Sequence, residues 1–260
     1  MKDNKLILER YKDYEDRVLV NELMDYCKAC GRGYTLKHTD FLDPRQQKIA
    51  AEILDMDSGI GYSFSGGIEA SERAVCLVYS ENYENGEEDV PITVLEITWN
   101  SNFRKLTHRD FLGSILGCGI KREKVGDIIL NEDSAYVACM SDISRYLLYN
   151  LNKVGSVSVS VNEAEAAGKK EEKVKVIAST VASLRLDSII ATGYGVSRAK
   201  AVETIKSGKV KVNWEDIENS SKEMKQGDIV SVRGKGRILL DEVAGTTKKD
   251  RIRITIKKYL

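Results

Sequence analysis

The chain has 260 residues, 42% of them hydrophobic and 31% charged, a composition that excludes a fibre or a disordered tail and leaves room for two or three compact domains. Met1-Lys2-Asp3-Asn4-Lys5 is charged and no apolar stretch approaches the roughly 18–20 residues that span a bilayer, so a cytoplasmic protein is expected. The formal net charge is zero, yet residues 1–95 carry 11 basic and 19 acidic side chains, residues 96–182 carry 12 and 11, and residues 183–260 carry 17 and 10. The last third is therefore the part that attracts a polyanion, through cations that release counterions from phosphates. Five cysteines, Cys27, Cys30, Cys76, Cys118 and Cys139, are an odd and scattered set, which reads as free thiols rather than a disulfide framework.

The first stretch, residues 1–72, reads as a mainly helical domain. Leu19, Leu23 and Tyr26 recur at helical spacing, and a second helix is expected from Pro44, with Asp43 as its cap and Ile49, Ile53 and Leu54 on its apolar face. The Gly-rich run Ser58 to Gly67 closes this region. Residues 73–163 form the expected middle domain. After a strand at Ala74 to Tyr79 come a strand at Ile92 to Trp99, a helix opening at Thr107, strands near Val125 to Leu130 and Ala135 to Met140, a helix from Ser141 and a strand at Ser156 to Val161. The order β-α-β-β-α-β, with Thr107 and Ser141 as N-caps, predicts a ferredoxin-like split βαβ arrangement, which makes the whole chain a multidomain α+β protein. RNA-recognition modules share this architecture with many enzymes, but the aromatic-rich strand signature of the common RNA-recognition motif is missing.

Residues 164–180, charged and containing Gly168-Lys169-Lys170, read as a linker, and residues 181–260 as the last domain. There Ser183 is expected to cap a helix bearing Arg185, Leu186, Asp187, Ile189 and Ile190 that breaks at Gly193-Tyr194-Gly195. Ser197 then caps a second helix, with Ala201, Val202 and Ile205 inward and Gly208 at its end. In Lys209 to Asn213 the valines take one face of a strand and the lysines with Asn213 the other. Val230 and Val232 alternate with Ser231 and Arg233, and isoleucines 252, 254 and 256 alternate with Arg251, Arg253, Thr255 and Lys257. The expected sheet is apolar on one side and cationic on the other.

Leu184-Arg185-Leu186-Asp187, Ser197-Arg198-Ala199-Lys200-Ala201, Ile205 to Asn213, Lys225-Gln226-Gly227-Asp228 and Val232-Arg233-Gly234 resemble the alpha-L RNA-binding module. That module was first recognised in a small-subunit ribosomal protein and also occurs in tyrosyl-tRNA synthetases and pseudouridine synthases. The resemblance implies an RNA interface made of Arg185, Ser197, Arg198, Lys200, Lys209, Lys211, Asn213 and Arg233, to which Lys206, Lys235 and Arg237 are added, with Asp187 orienting Arg185. Helix N-termini and forked guanidinium groups suit phosphate oxygens. Trp214 departs from the pattern, standing where the family usually has Gly; it either alters the loop or adds a stacking surface for a base.

Thr39 to Gln47, Lys105 to Gly117 and Gly119 to Asp127 further resemble the YlmH family, over nearly the whole chain. This implies a bacterial protein that binds ribosomal RNA of the large subunit near the peptidyl transfer RNA and assists rescue of stalled, split ribosomes. No catalysis, cofactor, membrane or small-molecule substrate is expected, because residues 1–160 offer no second aspartate motif, no glycine-rich nucleotide loop and no membrane-length apolar run, and a monomer is expected. His108, Arg109, Lys121, Arg122 and Lys124 are candidates for a second RNA contact, although capping alone accounts for polar residues at the start of that helix. Cys27-Lys28-Ala29-Cys30 with His38 makes at most half a metal site, and no metal is expected. His108-Arg109-Asp110 echoes a kinase loop without its companions. The alternatives are an RNA-modifying enzyme or its targeting subunit, of pseudouridine synthase or methyltransferase type, since Arg185-Leu186-Asp187 echoes a pseudouridine synthase site, and a protein scaffold using the acidic first domain.

Overall fold

The computed structural model describes residues 7–31, 35–81, 83, 90–100, 105–164 and 174–259, and the chain divides into two units, residues 1–170 and 171–260. In the first unit the Asp13 carboxylate accepts from the N–H groups of Glu15 and Asp16 and opens α1 (Tyr14–Cys30), which buries Leu19, Val20, Leu23, Met24, Cys27 and Cys30. After β1 (Leu36–Leu42), α2 (Pro44–Leu54) begins on a full capping box: Asp43 accepts from the N–H groups of Arg45 and Gln46, and the Asp43 N–H donates to Gln46 Oε1 at 2.9 Å. Next come β2 (Ile60–Ser65) and β3 (Ala74–Ser80), and the antiparallel order is β1-β3-β2, with both helices sharing its core.

Residues 1–72 thus carry β1 and β2 beside their two helices, and the strand at Ala74–Ser80 is the centre of the first sheet rather than part of the middle one. Two strands escaped the sequence pattern for identifiable reasons. The period of β1 is broken by an irregularity between His38 and Phe41, while β2 interleaves Gly61, Ser63 and Ser65 and is half-buried beyond its first residue.

The middle module runs β4 (Ile92–Thr98), α3 (His108–Gly117), β5 (Val125–Leu130), β6 (Ser134–Met140), α4 (Ser141–Asn150), a short hairpin of β7 (Lys153–Val154) and β8 (Val157–Ser158), and β9 (Ser160–Glu163). Its sheet order, β5-β6-β4-β9, is antiparallel throughout, which is the split βαβ arrangement. Thr107 caps α3 and Met140, not Ser141, precedes α4. One face of this sheet packs Leu95, Ile97, Val137 and Cys139 with Phe111, Ile115 and Leu147. The other face, carrying Ile129, Ala138 and Met140, is covered by Phe41, Ile68, Val75 and Leu77 of the first module.

The seam between these two modules is close and polar at its rim. A Cβ at Gly126 would lie 2.6 Å from Phe41 Cε1, so only glycine admits that ring. Arg73 donates to the carbonyl oxygens of Phe41 (2.5 Å) and Val125 (3.2 Å), and the Asp127 carboxylate accepts from the N–H groups of Glu72 and Arg73.

In the second unit β10 (Val174–Val181) leads to α5 (Leu186–Tyr194), α6 (Arg198–Lys206), β11 (Val210–Val212), β12 (Glu215–Asp216), β13 (Ile229–Val232), β14 (Gly236–Thr246) and β15 (Ile252–Tyr259). The sheet order is β10-β15-β14-β13-β11-β12. Its apolar side, with Val210, Val212, Val230, Ile238, Leu240 and Ile256, meets Ile189, Ile190, Ala201 and Ile205 of the helices. Each such fully buried aliphatic side chain stabilises by about 1.5–3 kcal/mol. The linker expected over 164–180 ends earlier than that. Residues 174–181 pair with β15 one by one, on an edge strand whose Val174 and Val176 are exposed, so no buried side announced it. Gly168-Lys169-Lys170 lies outside the described residues.

Candidate nucleic-acid interface

Asp187 is buried, 3% exposed at its side chain, in the first turn of α5. Its carboxylate accepts from Arg185 Nε at 3.3 Å, from Arg185 Nη2 at 3.2 Å and, from the next helix, from Arg198 Nη2 at 2.8 Å. The two guanidinium groups are 41% and 54% exposed. Burial pushes the Asp187 carboxyl up, but the two guanidinium groups outweigh it and hold its pKa below the ordinary carboxylate value. Two arginines 13 positions apart in sequence are thereby fixed side by side on one anchor, their outer donors toward solvent. Such a pair is suited to the oxygens of a phosphate backbone.

The two helix starts differ. Arg185, not Ser183, occupies the N-cap of α5 and makes no side-chain cap. The first N–H groups there already donate to the protein, Leu186 to the Lys222 carbonyl (2.9 Å) and Asp187 to that of Ser220 (3.1 Å). The start of α5 therefore holds the segment after β12 rather than an anion. At α6 the Ser197 hydroxyl accepts from the Lys200 N–H at 3.2 Å, and the N–H groups of Arg198 and Ala199 have no protein acceptor among the described residues. That start keeps the donors that attract an anion.

On the strands, Lys211, Ser231 and Arg237 lie in one cross-strand row of the sheet face opposite the helices, and Lys206, Lys209, Arg233 and Lys235 are exposed. The Arg233 N–H donates to the Lys209 carbonyl, which brings those two residues together. Lys200 is paired with Glu203 (2.9 Å) and Lys211 with Asp216 (3.3 Å), both pairs being exposed and exchangeable for phosphate. Asn213 does not join the lysines. Its amide donates to Asp228 Oδ1 at 2.8 Å and its Oδ1 accepts from the Ile229 N–H at 2.9 Å, tying the β11–β12 turn to the Lys225–Asp228 loop.

Asn213 and Trp214 form the two-residue loop between β11 and β12, with φ of 49° and 68°. Positive φ at both positions is the type I′ hairpin pattern, which Asn tolerates and Trp does not. A bulky residue there costs about 1–2 kcal/mol. The half-buried indole has the Arg237 guanidinium 5.7 Å from its centroid, an interaction that returns only about 0.5–1 kcal/mol at such a site. Sequence reasoning also overlooked Lys258, which with Lys235 lies against the ring of Tyr194, at 5.2 and 6.0 Å. The tyrosine hydroxyl donates to the Gly236 carbonyl at 2.8 Å. The signal would have been the register that sets Lys258 opposite Ile238, on the helix side.

The second cluster does not assemble as one patch. His108 and Arg109 open α3 and Lys121 follows its far end, about 15 Å away along a ten-residue helix. Lys124 bridges Asp40 (2.9 Å) and Asp142 (2.8 Å), and although burial opposes its charge the two carboxylates raise its pKa. Arg122 donates to the Val125 carbonyl, and burial together with Arg73 lowers its pKa to about 10. Both residues serve the seam between the first and middle modules. Asp110 completes the Thr107 capping box, which explains the His-Arg-Asp triplet without catalysis. The middle sheet's helix-free face, where RNA-recognition modules stack bases, is the one covered by Phe41, Val75 and Leu77.

Cys27 and Cys30 lie in the core stripe of α1, burial raising the Cys27 pKa to about 11, and no group of three or more potential ligands occurs among the described residues. No helix among them is long and apolar enough to cross a membrane.

Residues 86–168 match the family described as "Putative RNA-binding domain in YlmH", and residues 184–230 match the S4 domain family. Over 246 residues the chain is 31% identical to the ribosome-associated protein quality control protein P2 of Bacillus subtilis (strain 168), covering 94% of this chain and 95% of that protein. The chain belongs to the YlmH family. A solved relative, the cell division protein ylmH from Streptococcus pneumoniae, is 28% identical with a TM-score of 0.50, over 59% of this chain and 93% of that one. In this YlmH-family chain the S4 match contains the Asp187 clamp, both helix starts and the Trp214 hairpin. In the Arg185-Leu186-Asp187 triplet the Asp187 carboxylate is buried and held by two arginines.

Proposed function

We propose that this chain binds structured RNA through residues 181–260, with Arg185 and Arg198 as the central phosphate-gripping pair and Lys200, Lys206, Lys209, Lys211, Arg233, Lys235 and Arg237 around them. The RNA is ribosomal RNA of the large subunit, close to the peptidyl transfer RNA, and binding assists the rescue of stalled, split ribosomes. The chain acts as a cytoplasmic monomer and as a binding protein, a role that needs no cofactor or small-molecule substrate. The observation that carries the RNA part is the convergence of two half-exposed arginines on one buried carboxylate beside an uncapped pair of helix N–H groups. The ribosomal part is supported by the name of the B. subtilis relative, which covers nearly the whole chain.

Sedimentation with purified large subunits tests this reading. The wild-type chain is expected to co-sediment at low salt and to dissociate as salt rises, because phosphate contacts release counterions. Arg185→Ala with Arg198→Ala should sharply weaken co-sedimentation and flatten the slope of log K against log salt by about 2, near one unit for each arginine removed. Co-sedimentation unchanged in the double variant would refute it.

A further inference from the structure

We infer that Trp214 and Arg237 together form a stacking surface for one unpaired base of the bound RNA, a role that rests on the RNA-binding reading above. The indole stands at φ 68° in a two-residue turn, where glycine would be free of strain, and the Arg237 interaction alone does not recover that strain. Neither group is needed to close the core beneath, which is filled by Val210, Val212, Val230 and Ile238 from the opposite face of the same strands. What the pair offers is chemical. An indole and a guanidinium, each with a flat π surface, are the two side-chain planes on which splayed bases stack.

The neighbours define the ligand further. Lys211 and Arg237 sit in one row across β11, β13 and β14, with Ser231 between them, so cations for the flanking phosphates lie beside the indole. A base inside an A-form helix has both faces occupied by its neighbours and cannot reach a ring at a hairpin tip. A bulged or loop nucleotide can. The site therefore selects structured RNA carrying an unpaired base next to a helical segment, a preference that phosphate contacts alone cannot supply.

The test uses the full chain and a fluorescently labelled RNA hairpin with a single bulged adenosine, compared with the same hairpin abasic at that nucleotide. By anisotropy the wild type should bind the bulged RNA about tenfold more tightly than the abasic one, the scale of one base–aromatic stack. In Trp214→Gly the preference should fall below twofold, and Trp214→Phe should restore part of it. Glycine adopts this φ freely, so the variant folds, which a thermal melt verifies. A preference unchanged in Trp214→Gly, or absent from the wild type, overturns the stacking site; in both cases the wild type still binds the abasic hairpin. A wild type that binds neither RNA overturns the RNA-binding reading itself.

Discussion

Asp187→Asn separates the two things the buried carboxylate does, neutralising two arginines and positioning them. The carboxylate accepts three hydrogen bonds, at 3.3, 3.2 and 2.8 Å, from guanidinium groups that are 41% and 54% exposed. Hydrogen bonds to charged groups contribute about 1.5–3 kcal/mol, and solvent screening at the arginine ends draws the sum toward the low end, about 2 kcal/mol. Asparagine keeps one acceptor and turns an NH2 toward a cation. For a unit the size of residues 171–260 a loss of about 2 kcal/mol lowers the melting temperature by about 8–16 °C. The effect on RNA discriminates between mechanisms. Removing a negative charge beside phosphates would strengthen binding if charge alone mattered, whereas loss of a fixed arginine pair should weaken it by about tenfold, or about 1.4 kcal/mol. Calorimetry gives the first quantity and anisotropy with a structured RNA the second. An asparagine variant that binds as tightly as the wild type, or more tightly, would refute the positioning argument.

Acid should act on the same carboxylate. Its folded pKa lies below the unfolded value, so its contribution to stability is complete above the ordinary carboxylate range and disappears as pH falls through the folded value. The melting temperature of the second unit should therefore decline below about pH 3.9, and Asp187→Asn should remove that part of the decline; equal acid sensitivity in both proteins would contradict it. Lys124→Ala should cost about 1 kcal/mol in the first unit, from two partly exposed ion pairs to Asp40 and Asp142, and leave RNA affinity intact. A large fall in affinity with unchanged thermal stability would instead restore Lys124 to an RNA interface.

Elements whose signals are local were legible in the sequence. Asp43-Pro44, Thr107 and Ser197 mark helix starts by their own side chains, and Val210, Val212, Val230 and Val232 display the pleat. The illegible parts are those decided by distant partners. β10 has only Val181 buried, so its strand character comes from pairing with β15 and not from its own alternation. Asn213 fits the lysine side of β11 by parity, but the turn inverts its backbone and Asp228, 15 positions on, captures it. Lys124 and Arg122 look like surface cations until Asp40, Asp142 and the Val125 carbonyl are seen to hold them. The arginine pair lay between these cases: Asp187 was expected to orient Arg185, while Arg198 reaches the same carboxylate only because α6 folds back.

The apolar seam behind the middle sheet also bears on the order in which the chain can be made. Phe41, Val75 and Leu77 leave the ribosome before their cover, Ile129, Ala138 and Met140, has been synthesised. At about 5–20 residues per second, the roughly sixty residues between Leu77 and Met140 take about 3–12 seconds to translate, and during that interval a greasy sheet face stands open on a nascent chain. A fragment ending near residue 90 would keep that face exposed permanently and should aggregate, while one ending after β9 closes it. The seam thus joins the first and middle modules into one unit, whose cover a chain ending after β9 already contains.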